Sequence, residues 1–221
     1  MTKKFLYKKA LILGGSSGLG KEIAKKIKSC CKEAQALSSK NINTSDLNSV
    51  RKFIRNQKST DILVLNSGGP PLKSFFKTTE KDWLKYFNQL FLGYCMILKD
   101  LKINNNGYIF LISSSIIKEP SDSLIMSSSL RLGFSSVLKS LSKAYSLRGV
   151  SIINIAPGPF KTKKVKNLVK NLSKFEEKLP TKKIGNPSEI GLFVKYIVSN
   201  KIKYISGSTV YFDGNTLNSF Y

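Results

Sequence analysis

Apolar positions in this chain fall into short runs separated by stretches with helical spacing, and the alternation continues to the end. Tyr7–Leu13 (YKKALIL) runs into Gly14-Gly15-Ser16-Ser17-Gly18-Leu19-Gly20, and Ile23, Ala24 and Ile27 follow at helical spacing. That is strand, glycine turn, helix. Ala34–Ser38 predicts a second strand, and Asp61–Leu65 a buried one closed by the tight loop Asn66-Ser67-Gly68-Gly69-Pro70-Pro71. One long helix is expected from Thr79, whose spacing to Asp82 resembles a capping box. Its stripe is Trp83, Phe87, Leu90, Phe91, Tyr94 and Leu98. Gly107–Ser113 predicts a strand, and Phe134, Val137, Leu138, Leu141 and Tyr145 mark a second long helix. Ser151–Ala156 is a strand ended by Pro157-Gly158-Pro159; a helix over Pro187–Ser199 and a strand over Thr209–Phe212 complete the series.

Strands alternating with helices predict an α/β fold: a single Rossmann-type doubly wound parallel sheet with helices on both faces. No repeat or linker divides the chain, so residues 1–221 are expected to form one domain. The loops rich in Gly, Asn, Ser and Pro all follow strand C-termini, the edge where such sheets bind ligands.

Composition narrows the chemistry. There is no histidine, which excludes imidazole bases, His-ligated metals and Ser-His-Asp hydrolysis. Three cysteines, two of them adjacent, make neither a disulfide framework nor a zinc site, and no metal is expected. No apolar run of about 18 residues exists, so no membrane helix is expected. Ala10–Gly15 is too short and Gly-rich for a signal core, which predicts a cytoplasmic protein. The net charge is +24, yet only Arg51, Arg55, Arg131 and Arg148 are arginines. Nucleic-acid readers use Arg heavily, so the Lys excess argues against that role. It reads as a solvated surface, with a docking face for an acidic partner as the alternative.

Gly14, Gly15, Gly18 and Gly20 lie between the first strand and its helix, where a tight turn lets backbone approach a pyrophosphate. The helix N-terminus, with Ser16, Ser17 and Leu19 leading into it, then offers free N–H groups to that anion. The alternative is a plain turn.

With these motifs the chain resembles the short-chain dehydrogenase/reductase family over nearly its full length. Gly14-x-x-x-Gly18-x-Gly20 matches that family's cofactor turn. Asp46-Leu47 resembles the pair that meets the adenine, and Asn66-Ser67-Gly68-Gly69 stands in place of Asn-Asn-Ala-Gly. Pro157, Gly158 and Thr162 resemble the segment that holds the nicotinamide. The resemblance implies an NAD(P) cofactor. Leu37-Ser38-Ser39-Lys40 carries no carboxylate to bind a ribose 2′-OH, so NADP is favoured over NAD. Only about seven residues separate the second strand from Asp46, too few for the helix that relatives carry there, so the adenosine side is expected to be open.

The resemblance also implies a catalytic Ser, Tyr, Lys and Asn. Ser114 keeps the serine; the Tyr position falls on Ser127, the Lys position on Arg131 and the Asn position on Leu90, with Asn88 near. The chain is similar to a divergent subgroup, beta-ketoacyl carrier-protein reductase-like, with Ser and Arg in place of Tyr and Lys. In that setting Ser114 and Ser127 are expected to bond the substrate oxygen. Arg131 is expected to stabilise an alkoxide and clasp ribose hydroxyls. The alternative readings are small polar cleft residues for the serines and a structural ion-pair partner for Arg131. The resemblance implies a lid over the substrate at residues 160–184, whose nine lysines suit a phosphate- or carboxylate-bearing substrate or an acidic carrier protein, with a solvated helix face as the alternative.

The expected activity is NAD(P)-dependent reduction of a carbonyl or acyl-thioester substrate; a catalytically inactive dinucleotide-binding or regulatory protein is the alternative. The two apolar helices predict a homodimer or homotetramer.

Overall fold

Apolar side chains on consecutive strand residues point to opposite faces, so a strand that is apolar throughout must be covered on both sides. The computed structural model, which describes residues 4–169 and 171–219, shows this arrangement. The chain runs β1 (Tyr7–Ile12), α1 (Gly18–Ile27), β2 (Cys31–Ala36), α2 (Leu47–Arg55), β3 (Thr60–Leu65), α3 (Glu80–Phe87) and α4 (Gly93–Asp100). It continues through β4 (Ile103–Ile112), α5 (Ile125–Ser146), β5 (Ser151–Pro157), α6 (Lys163–Leu168), α7 (Leu172–Lys178), α8 (Pro187–Ser199) and β6 (Ser208–Phe212). The six strands are parallel, in the order β2-β1-β3-β4-β5-β6. The expected doubly wound sheet is present.

On one face Ala10, Ile12, Ile62, Val64 and Phe110 pack beneath α1 and α8. On the other, Leu11, Leu13, Leu63, Leu65 and Leu111 pack beneath α2, α4 and α5. Helix starts are locally encoded. Thr79 and Asp82 form the expected capping box, and Asn186 accepts from the Ser188 N–H at 3.0 Å with Pro187 following it.

The structure corrects several expectations. The second strand begins earlier, at Cys31, because polar Lys32 and Glu33 sit on an outer strand that needs no continuous apolar run. The helix α2 was not foreseen; Asp46 caps it by accepting from the Asn48 N–H at 2.9 Å. The long helix from Thr79 is interrupted by a π-turn over Asn88–Leu92. The segment expected as a lid contains the short helices α6 and α7; its Lys170 lies outside the described residues. Of the apolar residues assigned to assembly, Tyr94, Phe134 and Leu138 are buried in the protomer's own core, whereas Phe87 is exposed. Among the described residues no helix is long and apolar enough to cross a membrane.

Phe110, in the C-terminal half of β4, is fully buried and stacks on Tyr108. Phe110→Ala should cost roughly 3–5 kcal/mol in chemical denaturation, because it opens a cavity that close-packed neighbours cannot fill. Tyr204→Ala, at a fully exposed ring, should stay within about 0.5 kcal/mol.

Candidate functional site

The site forms where the turn after β1 meets the loop after β3. Asn66 Nδ2 donates to the carbonyls of Leu13 and Gly14 at 3.3 Å each, tying the two loops together. A Cβ on Gly14 would stand 2.5 Å from Asn66 Nδ2, and one on Gly20 only 2.3 Å from the Gly14 carbonyl oxygen. These two glycines are close-approach positions. Gly18 differs: its φ is +53° and nothing lies nearer to its missing Cβ than Thr162 Cγ2 at 3.5 Å. The space over Gly18 is therefore open and bounded by Thr162. Ser17 precedes α1 in extended conformation without capping it through its side chain, and the first helical turn has no acidic residue. Free N–H groups at the helix start, an open backbone and no competing carboxylate suit a phosphate anion. Ser16 and Ser17 are exposed and Leu19 half-buried at this rim.

A cavity of about 190 Å³ continues from Gly14 past Ser38, Ser39, Asn66, Ser67 and Gly68. Asn43, Thr44 and Gln89 also line it, and sequence reasoning missed all three. Gln89 sits in the π-turn and donates to the Gly68 carbonyl. Thr44 reaches the same place because Gly93 has no side chain; a Cβ there would lie 2.7 Å from the Thr44 carbonyl oxygen. Asp46, by contrast, faces an outer groove of about 540 Å³ with Lys40 and Lys52. Leu47 is the half-buried first residue of α2 and lines neither space. The residues facing the cavity beside β2 are thus Asn43 and Thr44, three and two positions before the Asp. Asp46 and Leu47 open α2, with Asp46 as its N-cap.

The candidate catalytic residues lie along the next two loops. Ser114 follows β4 in extended conformation and heads a single 3-10 turn, and its hydroxyl is not used as a cap. That turn packs on α5, the helix that carries Ser127 and Arg131 one turn apart. Arg131 donates through Nη1 to Ser127 Oγ, and both are buried. Burial pulls the guanidinium's pKa below its ordinary value, with nearby Tyr94 opposing, but it remains charged at neutral pH. Tyr94 is enclosed, and burial pushes its phenol up to about 12 against smaller opposing effects of Ser67 and Arg131. Ser67 Oγ lies beside that phenol, buried, with no hydrogen bond of good geometry. Leu90, at the Asn position, is buried and apolar; Asn88 is half-buried at the start of the π-turn.

Pro157 and Gly158 end β5 beside β6, where a Cβ on Gly158 would stand 2.8 Å from Asp213 Cα. Thr162 caps α6, accepting from the Val165 N–H at 3.4 Å. Ser38, Ser39, Asn66, Ser67 and Gly68 therefore share the cavity with Gly14, while Lys40 and Asp46 stand outside it.

Two glycine substitutions separate backbone needs from open space. Gly20→Ala should lower stability by roughly 1–3 kcal/mol through overpacking against Gly14. Gly68→Ala, with nothing within 4 Å of the new methyl, should leave the melting temperature nearly unchanged.

Comparison with known proteins agrees with this geometry. Residues 16–215 match the family described as Enoyl-(Acyl carrier protein) reductase. The 3-oxoacyl-[acyl-carrier-protein] reductase FabG of Buchnera aphidicola subsp. Baizongia pistaciae is 27% identical over 93% of this chain and 95% of its own. That of Chlamydia muridarum is 25% identical over 97% of this chain and 99% of its own. Among solved structures, a short-chain dehydrogenase/reductase of Brucella melitensis superposes with a TM-score of 0.83 at 16% identity, covering 98% of this chain and all (100%) of its own. A short-chain dehydrogenase of Burkholderia cenocepacia in complex with NADP gives 0.82 at 18% identity, covering 94% of this chain and 96% of its own. An open glycine turn at a helix start, a doubly wound sheet and a family match over nearly the whole chain agree: the protein belongs to the short-chain dehydrogenase/reductase family of oxidoreductases, within its enoyl-(acyl carrier protein) reductase branch.

Proposed function

We propose that the protein is an NADP-dependent reductase of a carbonyl compound in the 3-oxoacyl class, free or as a carrier-bound thioester. The observation that carries this is the buried Arg131–Ser127 pair, set on α5 where the family resemblance puts its acid pair. The 3-oxoacyl class comes from the FabG relatives, and NADP from the absence of a carboxylate at Ser38–Lys40 and from the NADP-bound structural neighbour.

The residues fit a dinucleotide. Gly18, Leu19 and Gly20 with the start of α1 would hold the pyrophosphate; Ser38, Ser39, Asn43 and Thr44 would take the adenosine end. Lys40, exposed at the rim, would meet a 2′-phosphate. Pro157, Gly158 and Thr162 would flank the nicotinamide. When bound, the reduced nicotinamide supplies a hydride to a carbonyl carbon.

Ser114, with its hydroxyl uncommitted, orients the carbonyl oxygen. Ser127 accepts from Arg131, so its own proton is free to donate toward that oxygen. A serine is a far weaker acid than a tyrosine, whose pKa is about 10, so the guanidinium does the larger share by stabilising negative charge as it grows. The proton that completes the alcohol comes from water through these hydroxyls.

The exposed Leu84 and Phe87 on α3 and Leu132 on α5 form an apolar surface that a second copy would cover, giving a homodimer or homotetramer. Lys163, Lys174, Lys178 and Lys182 in and after the lid helices suit an acidic carrier protein.

Calorimetry should show NADPH binding to the native chain and none to Gly18→Val, whose side chain would fill the space below Thr162. Following NADPH oxidation with 3-oxo compounds, Arg131→Met and Ser114→Ala should each lower turnover by on the order of tenfold or more, and Ser127→Ala by less. Tight NADPH binding with no oxidation across a broad carbonyl panel would leave a binding protein in place of an enzyme. Light scattering should give a multiple of 24.6 kDa, and Phe87→Glu should return the mass to the monomer value.

A further inference from the structure

The site holds one unbalanced charge. Arg131 is 9% exposed, and its guanidinium meets the Ser127 hydroxyl on one side and Tyr94 near it on another. Among the described residues the one ion pair joins Lys73 to Asp82, and no carboxylate pairs with Arg131. Tyr94 is not a counter-ion, because burial keeps its phenol neutral. A cation taken out of water without an anion is costly, and proteins keep such an arrangement where a ligand brings the missing charge. A neutral ligand would leave that cost in place.

The group is also the right shape for one kind of anion. A guanidinium has five N–H donors in a planar fork, and Ser127 takes one. The remaining donors match the two oxygens of a carboxylate, which a lysine, as a point charge, does not. Tyr94 is near both Arg131 and Ser67, and Ser67 belongs to the lining of the nucleotide cavity. The overall charge of +24 further favours an anion.

We propose that Arg131 is the receptor for a carboxylate on the substrate, so that the compound reduced is a free oxo acid with its carboxylate one or two carbons from the carbonyl. This rests on the carbonyl-reductase reading above and narrows its substrate from esters and thioesters to acids. The reaction balances as one oxo acid, one NADPH and one proton from water giving the hydroxy acid and NADP⁺. The carboxylate is held and unchanged.

The test compares a matched pair. Acetoacetate and methyl acetoacetate present the same ketone with and without the charge. NADPH oxidation should show a kcat/KM at least about tenfold higher for the acid, and the advantage should shrink with added salt. In Arg131→Gln the ratio of acid to ester should collapse toward one; in Arg131→Lys part of it should survive, since charge is kept and the fork is lost. Calorimetry on the native protein saturated with NADP⁺ supplies a readout without turnover: 3-hydroxybutyrate should bind at least about tenfold more tightly than its methyl ester. Reduction of the ester, or of an acetoacetyl thioester, as fast as the acid would overturn the carboxylate assignment and leave the reductase reading standing. Selective binding of the acid without reduction would do the reverse. Equal binding of acid and ester, with no turnover of either, would overturn both.

Discussion

The contact between Asn66 and the carbonyls of Leu13 and Gly14 sets everything else at the carboxyl edge of the sheet. It exists because two glycines let backbones meet at distances no side chain permits, Gly14 against Asn66 and Gly20 against Gly14. With those loops locked, α1 starts at a fixed place and its unpaired N–H groups face the open surface of Gly18. The turn needs glycine for two separate reasons, packing beneath and space above.

The sheet is shorter on one side than the usual doubly wound arrangement, in which a further strand lies outside the second. Here β2 is the edge, and the chain passes from it to α2 through residues 37–46 with no strand between. Lys32 and Glu33 on β2 are exposed, the kind of charged side chains that keep an edge from pairing with another chain. The same shortening leaves the groove beside Lys40, Asp46 and Lys52 open to solvent, as the short connection after the second strand predicts. The loop that carries Asn43 and Thr44 lines the cavity instead, and Gly93 is what allows that loop to approach the π-turn.

At the other end of the site, Ser127 and Arg131 stand paired on α5. The guanidinium reaches Ser127 directly, and its surroundings are hydroxyls and a neutral phenol. These surroundings are short of acids and rich in donors.

Sequence alone determined the fold class, the glycine turn and the Thr79 capping box. Each of these depends on local spacing or on a residue type that has few uses. Periodicity reports burial one element at a time, so Tyr7–Ile12 and Pro187–Ser199 were legible within a residue or so. What only the tertiary structure decided were relations between elements. Asp46 turned out to be a helix cap, Gln89 a cavity residue, and Tyr94 and Phe134 core, although their side chains fit other roles equally well. That Arg131 lacks a carboxylate was also invisible in one dimension, since an ion pair joins residues distant in sequence. The physical reason is the same throughout: local pattern says which side chains leave water, and only the packed chain says what they meet there.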